Sequence, residues 1–224
     1  SRMQGHFTNN TEIVLGYSPY ERTVGLLNRI IRFETFLTAL NYISFALAGM
    51  PYMGVGRNLA YKKSLFFKGK GFASHMHILS GDDDLFVNQN ATGSNTSVEI
   101  HPDAQVWSEP KHTFGAFFSQ KLRHQGAGKA YQKSHKKILG LQGGSGVLFY
   151  LLLFALIIIQ AQWWLILTIY LIRLVVQFFV YIPCFRKLNC PDLIGWMPIL
   201  DFIYYFYLMV LSFVSLFKKR LEWK

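Results

Sequence analysis

The chain has 224 residues, a formal net charge of +11, and a composition that is 51% apolar and 17% aromatic. Such a charge could indicate a nucleic-acid-binding protein, and the length allows one or two domains. The distribution of apolar residues excludes an ordinary soluble protein, because residues 145–217 hold nearly all the long apolar runs while residues 1–142 are mixed and polar. We therefore predict a polar domain over residues 1–142, outside the membrane except for an interfacial helix, and a membrane domain with two to three apolar segments over residues 143–224.

The first third of the chain predicts alternating helices and strands. Residues 1–20 are predicted as a helix leading into a strand at 12–16, and residues 21–47 have the apolar spacing of one long amphipathic helix. A turn rich in Gly and Met follows. Residues 58–61 are predicted as a short strand and residues 62–66 as a short helix.

The middle of the chain continues this pattern. Residues 82–90 should begin a helix, because carboxylates favour its first turn. Two short strands are predicted at 97–100 and 105–107. The helix predicted at 113–123 has Phe and Leu on one face, which is typical of a helix that lies at a membrane interface.

Three apolar segments follow. Residues 146–162 and 163–182 are each near the length that crosses a bilayer, roughly 20 residues. Arg173 lies within the second segment and should face protein or extend to the interface. A third full crossing, over residues 193–217, would put the basic end 218–220 outside, against the positive-inside rule. We predict that part of this segment is re-entrant or interfacial.

Basic residues cluster directly before the first apolar segment. Residues 110–140 contain no Asp or Glu. Such a collar favours a membrane surface over nucleic acid and places the preceding part in the cytoplasm. We expect an integral protein of the bacterial inner membrane that contacts membrane lipids and no nucleic acid. The collar consists of Lys111, Lys121, Arg123, Lys129, Lys133, Lys136 and Lys137.

The sequence offers little sign of a metal or disulfide site. Cys184 and Cys190 are the only cysteines, and we expect both to be free thiols on the cytoplasmic side. His75 and His77 are alternate residues without a third ligand nearby, so hydrogen bonding is favoured over metal binding. We therefore predict no metal ligand within this chain.

The acidic triplet Asp82, Asp83 and Asp84 is the most distinctive polar feature. Adjacent carboxylates repel one another, which should raise the pKa of at least one. A carboxylate that precedes or opens a helix is exposed yet anchored, as a general base requires. The alternative is a solvated helix N-terminus or a calcium-like surface site.

Three motifs in order carry a resemblance to a known family. They are residues 54–63 (GVGRNLAYKK), 81–85 (GDDDL) and 120–124 (QKLRH). With the apolar segments behind them, they resemble the C-terminal half of the catalytic domain of family 2 glycosyltransferases. This membrane group includes cellulose, hyaluronan and chitin synthases and ceramide glucosyltransferase. The implied fold class is α/β, half of a GT-A type domain, followed by transmembrane helices.

The resemblance implies an inverting sugar transfer. Asp83 would be the general base that takes the proton of the acceptor hydroxyl, with Asp82 as its neighbour and Asp84 just outside the motif. We expect a nucleotide sugar, such as a UDP-sugar, as donor and a lipid-linked molecule or a glycan as acceptor.

The same resemblance assigns binding roles. Gln120 and Arg123 share a helical face and would lie beside the acceptor and the donor diphosphate. His124 stands where the family has Trp, which favours transfer of a single sugar or a short oligomer over a processive synthase. Arg57 and Asn58 would line the acceptor or nucleotide side of the cleft.

The family's metal-binding motif is absent from this chain. Mg²⁺ or Mn²⁺ would be bound by an Asp-x-Asp motif in an upstream half, and no such motif occurs before residue 82. We expect the chain to be truncated at its N-terminus and inactive alone. The alternative functions are a non-catalytic membrane scaffold or subunit of a polysaccharide assembly or export system and, less favoured, a polytopic transporter.

Overall fold

The computed structural model describes residues 2–8, 10–73, 78 and 80–217. Helices dominate this part of the chain, and a small sheet stands near its N-terminal end. The strands are β1 (Ile13–Gly16), β2 (Leu59–Tyr61) and β3 (Thr96–Glu99). The α-helices are α1 (Arg2–Gly5), α2 (Leu26–Leu47), α3 (Lys63–Lys68), α4 (Asp82–Asn90), α5 (Phe114–Gly128), α6 (Lys133–Ile158), α7 (Trp163–Lys187) and α8 (Met197–Phe217). Three 3-10 turns cover Gly56–Asn58, Pro102–Ala104 and Pro191–Trp196.

Strand β1 is the centre of the sheet. It pairs with β2 in antiparallel orientation and with β3 in parallel orientation. All four of its residues are buried, which explains why this segment is apolar without alternation. The predicted strands at 12–16, 58–61 and 97–100 are confirmed.

The strand predicted at 105–107 is wrong. Pro102 begins a 3-10 turn, and the side-chain amide of Gln105 donates back to the carbonyl of Ile100 at 3.1 Å. The segment then forms no strand ladder: it has an isolated bridge between Tyr20 and Ser108 and a hydrogen bond from the Ser18 hydroxyl to the carbonyl of Val106 at 2.6 Å. A proline-initiated turn here prevents continuous pairing.

Helix α2 belongs to the core. The phenolic hydroxyl of Tyr42 donates to the carbonyl of Gly16 at 2.7 Å, which ties the helix to the end of β1. On another side, the ring of Phe36 stacks on that of Phe185 in α7 with centroids 3.9 Å apart. Helix α2 is therefore covered by the sheet and by the apolar helices.

Four described helices are long and apolar enough to cross a membrane: α2, α6, α7 and a segment that includes α8. They mark the chain as a membrane protein. Helices α6 and α7 expose most of their apolar side chains, whereas more than half of α2 is buried. Helix α6 begins at Lys133, well before the predicted start at 146, because the last three residues of the basic collar (Lys133, Lys136 and Lys137) and the apolar segment form one continuous helix.

Helix α8 lies between two groups of helices. Tyr204 contacts Phe33 of α2, and Tyr207 stacks on Phe117 of α5 with centroids 5.5 Å apart. On the other side, Tyr205 contacts Tyr150 of α6. The helix is continuous over Met197–Phe217 and forms most of the segment Pro191–Phe217, which is long and apolar enough to cross a membrane. That part of residues 193–217 is re-entrant or interfacial stays a prediction, and the basic end 218–220 lies outside the described residues.

This packing also changes the interpretation of α5. The sequence predicted that its aromatic face meets the membrane interface. Phe117 is instead fully buried, and Phe118 contacts the ring of Tyr207. Helix α8 therefore covers this face, and half-exposed Phe114 remains at its edge.

A buried polar network joins the three C-terminal helices. The Asp201 carboxylate, fully buried, accepts hydrogen bonds from the Tyr150 hydroxyl at 2.7 Å, from Gln177 Nε2 at 2.9 Å and from the Arg173 guanidinium at 3.0 Å. Helices α6, α7 and α8 each contribute to it. Arg173 thus faces protein, as predicted, and a buried charge is compensated by its opposite.

Close contact between α6 and α8 depends on glycine. A Cβ atom at Gly146 would overlap the ring of Tyr205. At Gly143 it would lie 3.3 Å from the side chain of Leu208. Small residues let helices in a membrane approach closely, where dispersion contacts and polar pairs hold them together.

The polar network gives a test of the helix packing. Asp201→Leu should destabilise the protein by about 3 kcal/mol, because it leaves the charge of Arg173 buried without its partner. The double variant Asp201→Leu/Arg173→Leu should recover most of that loss. Thermal unfolding in detergent measures both, and a double variant that is as unstable as the single one would contradict the pairing.

Candidate functional site

A cleft of about 320 Å³ lies between α2, the end of β1, the N-terminus of α4 and helix α5. Residues that are distant in sequence converge on it. Its polar lining consists of Tyr17, Ser18, Tyr20, Glu34, Thr35, Thr38, Tyr42, Arg57, Ser80, Asp83, Asp84, Gln120, Lys121 and His124.

Asp83 lies in the cleft at the first turn of α4. Its carboxylate accepts a hydrogen bond from the backbone N–H of Gly56. A Cβ atom at position 56 would collide with that carboxylate, so the contact requires glycine. The two motifs that contain Gly56 and Asp83 therefore meet in space.

Gly81 positions the acidic residues. It precedes α4 in the left-handed conformation, with φ of 92°, which glycine adopts without steric cost. A Cβ atom there would lie 2.4 Å from that of Ala127 in α5. The glycine therefore allows the turn and the close approach of α4 to α5.

Asp84 also lines the cleft, although the sequence motif left it outside. The hydroxyl of Tyr131 donates to its carboxylate at 3.3 Å. Burial, with the adjacent charge of Asp83, raises the pKa of Asp84 from 3.8 to about 8. The expectation that at least one pKa in the triplet is raised is confirmed, but burial contributes more than charge crowding. Asp84 is thus largely protonated at neutral pH.

Asp82 is exposed and does not line the cleft. Consecutive helical residues are about 100° apart around the axis, so Asp82 and Asp84 point in nearly opposite directions. They do not form a pair for one metal ion. Within the described ranges there is no group of three or more His, Cys, Asp or Glu side chains suited to a metal, and His75 and His77 lie outside those ranges.

Helix α5 presents Gln120 and His124 to the cleft. They are four residues apart and so share one helical face. Burial lowers the pKa of His124, and the nearby charges of Lys121 and Arg123 act in the same direction. Its imidazole is therefore neutral at pH 7.

Arg123 does not reach the cleft. Its side chain is exposed to solvent. The cation that α5 contributes to the wall is Lys121, whose ammonium group is 2.5 Å from a carboxylate oxygen of Glu34. Of the two residues that were predicted to act together, Gln120 therefore lines the cleft, whereas Arg123 points to solvent.

The structure also separates Arg57 from Asn58. Arg57 lines the cleft, stacks over the ring of Tyr20 at 4.4 Å and donates to the carbonyl of Ser18 at 3.1 Å. Asn58 is buried, and its amide donates to the carbonyls of Tyr17 and Ala104 at 2.7 and 2.8 Å. Asn58 therefore holds two backbone segments together and, contrary to the prediction, does not line the cleft.

Sequence reasoning missed several lining residues. Tyr17 and Tyr20 follow β1 directly, and Glu34 and Thr38 lie on the cleft side of α2. A signal for the tyrosines was present, since loops after buried strands often carry functional side chains. Glu34 had no such signal, because a lone carboxylate in an amphipathic helix resembles any solvated residue.

A comparison of the chain with protein-family models and with curated proteins finds no match.

The raised pKa of Asp84 predicts a pH effect on stability. Between pH 3.8 and about 8 the folded state holds a proton that the unfolded state releases, so this group lowers stability as pH rises through that window. Asp84→Asn, which keeps an acceptor for Tyr131, should lose this dependence. Relative to the original chain it should gain stability at about pH 9 and little at about pH 4.

Thermal unfolding across this pH range measures the difference. Asp82→Asn is the matched control, because the same change at an exposed position should leave the pH profile as it is. Parallel pH profiles for Asp84→Asn and the original chain would show that Asp84 has an ordinary pKa.

Proposed function

We propose that this chain is part of an inverting glycosyltransferase of family 2, which moves a sugar from a nucleotide donor to a lipid-linked or glycan acceptor. The observation that supports this most is the convergence of three separate sequence motifs on one cleft. Gly56 and Arg57 come from the first, Asp83 from the second, and Gln120 and His124 from the third. A set of unrelated surface motifs would have no reason to meet.

Asp83 is the base in this proposal. As the acceptor hydroxyl attacks the anomeric carbon, its proton passes to the Asp83 carboxylate, the new glycosidic bond forms, and the bond to the nucleotide diphosphate breaks. The backbone N–H of Gly56 fixes the orientation of that carboxylate. Protonated Asp84 keeps a second negative charge away from the base.

Side chains on the other walls of the cleft would bind the acceptor sugar and the diphosphate of the donor. Gln120 can hydrogen-bond sugar hydroxyls, and the neutral ring of His124 offers a face on which a sugar can stack. Arg57 is the cation best placed for a phosphate, because Lys121 is already paired with Glu34. This assigns to Arg57 the diphosphate contact that the sequence alone gave to Arg123.

The remaining parts of the proposal rest on the resemblance and on charge. The small sheet and its helices would be half of a GT-A type domain, and Mg²⁺ or Mn²⁺ would be held by an upstream Asp-x-Asp motif, since Asp82 and Asp84 diverge. The basic collar supports a cytoplasmic site at a bacterial inner membrane.

The test compares two adjacent carboxylates in the protein expressed from its full reading frame. Asp83→Asn should reduce sugar transfer at least about 100-fold, because general-base catalysis contributes that much. Asp82→Asn removes the same charge outside the cleft and should retain activity. Release of nucleoside diphosphate from a panel of nucleotide sugars, in membranes with equal expression, measures both.

Two outcomes would contradict the proposal. Equal activity of Asp83→Asn and the original protein would remove Asp83 from the chemistry. No transfer from any nucleotide sugar by the full protein would favour the alternative of a non-catalytic membrane scaffold.

A further inference from the structure

A second cavity, of about 280 Å³, lies on the far side of α2 from the cleft. It is bounded by the N-terminal part of α2 and by the 3-10 turn that joins α7 to α8. Three arginines and one carboxylate line it, so its formal charge is positive. The lining is Arg22, Thr23, Val24, Arg29, Arg32, Asp192 and Trp196.

The three arginines are not equivalent. Arg32 is buried and forms a bidentate pair with Asp192, both N···O distances being 2.7 Å. Arg22 is exposed and approaches the same carboxylate only at 3.6 Å. Since Arg32 satisfies Asp192, the charge of Arg22 is in excess.

Arg29 lines the cavity with hydrogen-bond donors that the described residues of the protein leave unused. Its guanidinium stacks over the indole of Trp196 at 4.2 Å, and within the described part of the chain it donates no hydrogen bond. The N–H groups along the edge of this planar guanidinium therefore line a positive cavity and have no hydrogen-bond acceptor among the described residues. Such a planar fork of donors matches the oxygens of a phosphate.

The surroundings indicate where that phosphate comes from. Trp196 begins an exposed apolar stripe that continues along α8 at helical spacing through Ile199, Phe202 and Phe206. Exposed Arg186 ends α7 at the same end of the helix pair. Tryptophan and arginine at the end of an apolar surface are typical of the headgroup level of a membrane.

We infer that this cavity binds the phosphate headgroup of an anionic membrane phospholipid, with an acyl chain along the stripe of α8. Arg29 and Arg22 contact the phosphate, and Trp196 connects the polar and apolar parts of the lipid. Arg32 and Asp192 form the floor. A free phosphate ion would use the arginines but not the stripe.

The experiment uses the chain purified in detergent, with native mass spectrometry to count bound lipid. Phosphatidylglycerol should be retained in preference to phosphatidylcholine, whose headgroup has no net charge. Arg22→Gln/Arg29→Gln should weaken phosphatidylglycerol binding about 30-fold, since each of the two basic residues near an anionic surface contributes about 1 kcal/mol. Its thermal unfolding should be unchanged, because neither side chain is fully buried.

The control instead removes two cations of the basic collar, away from the cavity. Lys133→Gln/Lys137→Gln lies at the exposed start of α6 and should keep the preference. Equal losses in the two double variants would show general surface attraction and overturn the site. Arg29→Lys keeps the charge without the planar fork, and binding as tight as in the original chain would also overturn it.

Inorganic phosphate distinguishes the two sources of the anion. Under the proposal, millimolar phosphate leaves phosphatidylglycerol bound, because the apolar stripe holds the acyl chain. Displacement of the lipid by phosphate alone would identify a phosphate-ion site instead. No preference of the original chain for phosphatidylglycerol would likewise overturn the proposal. All of these measurements are independent of sugar transfer.

Discussion

Burial of α2 on several sides is the constraint on which the rest of the structure depends. Tyr42 fixes this helix to the end of β1, and Phe36 stacks on Phe185 of α7. The side that remains carries Glu34 and Thr38 into the cleft. Because one rigid helix contacts the sheet, the apolar helices and the cleft at once, the cleft keeps a fixed height above the apolar helices. Under the proposed function, an acceptor with a lipid tail would therefore meet Asp83 at a constant distance from the apolar helices.

Most of the ionisable groups that line the cleft are either neutral or paired with an opposite charge. Two carboxylates lie side by side at the start of α4, and burial leaves Asp84 protonated while Asp83 is held by a backbone N–H. Lys121 is balanced by Glu34, and His124 is neutral. Most of the polar groups are thus paired or uncharged, so Arg57 and Asp83 remain as the pair of opposite charges available to a substrate.

Local sequence patterns were sufficient to predict many of the helices and strands. The apolar run at β1, the period of α2 and the acidic start of α4 each follow from residues that are neighbours in sequence, and each was predicted.

The wrong predictions concern residues whose placement depends on contacts with distant parts of the chain. Helix α5 looks interfacial until α8 covers Phe117, and Asn58 looks like a cleft residue until its amide is seen between two carbonyls. The assignment of Arg123 failed similarly, because a shared helical face does not say which residue of the pair meets a neighbouring element. Asp84 was excluded by motif position, yet its burial depends on Tyr131, which lies far along the chain.

The network around Asp201 has a consequence for how the chain is made. Arg173 is translated 28 residues before the carboxylate that neutralises it. While ribosomes are still producing α8, the α6–α7 hairpin carries an uncompensated cation, which costs roughly 3 kcal/mol at the middle of an inserting helix. The Asp201 carboxylate of α8 removes this cost, so α6 and α7 reach their full stability only once α8 has packed against them.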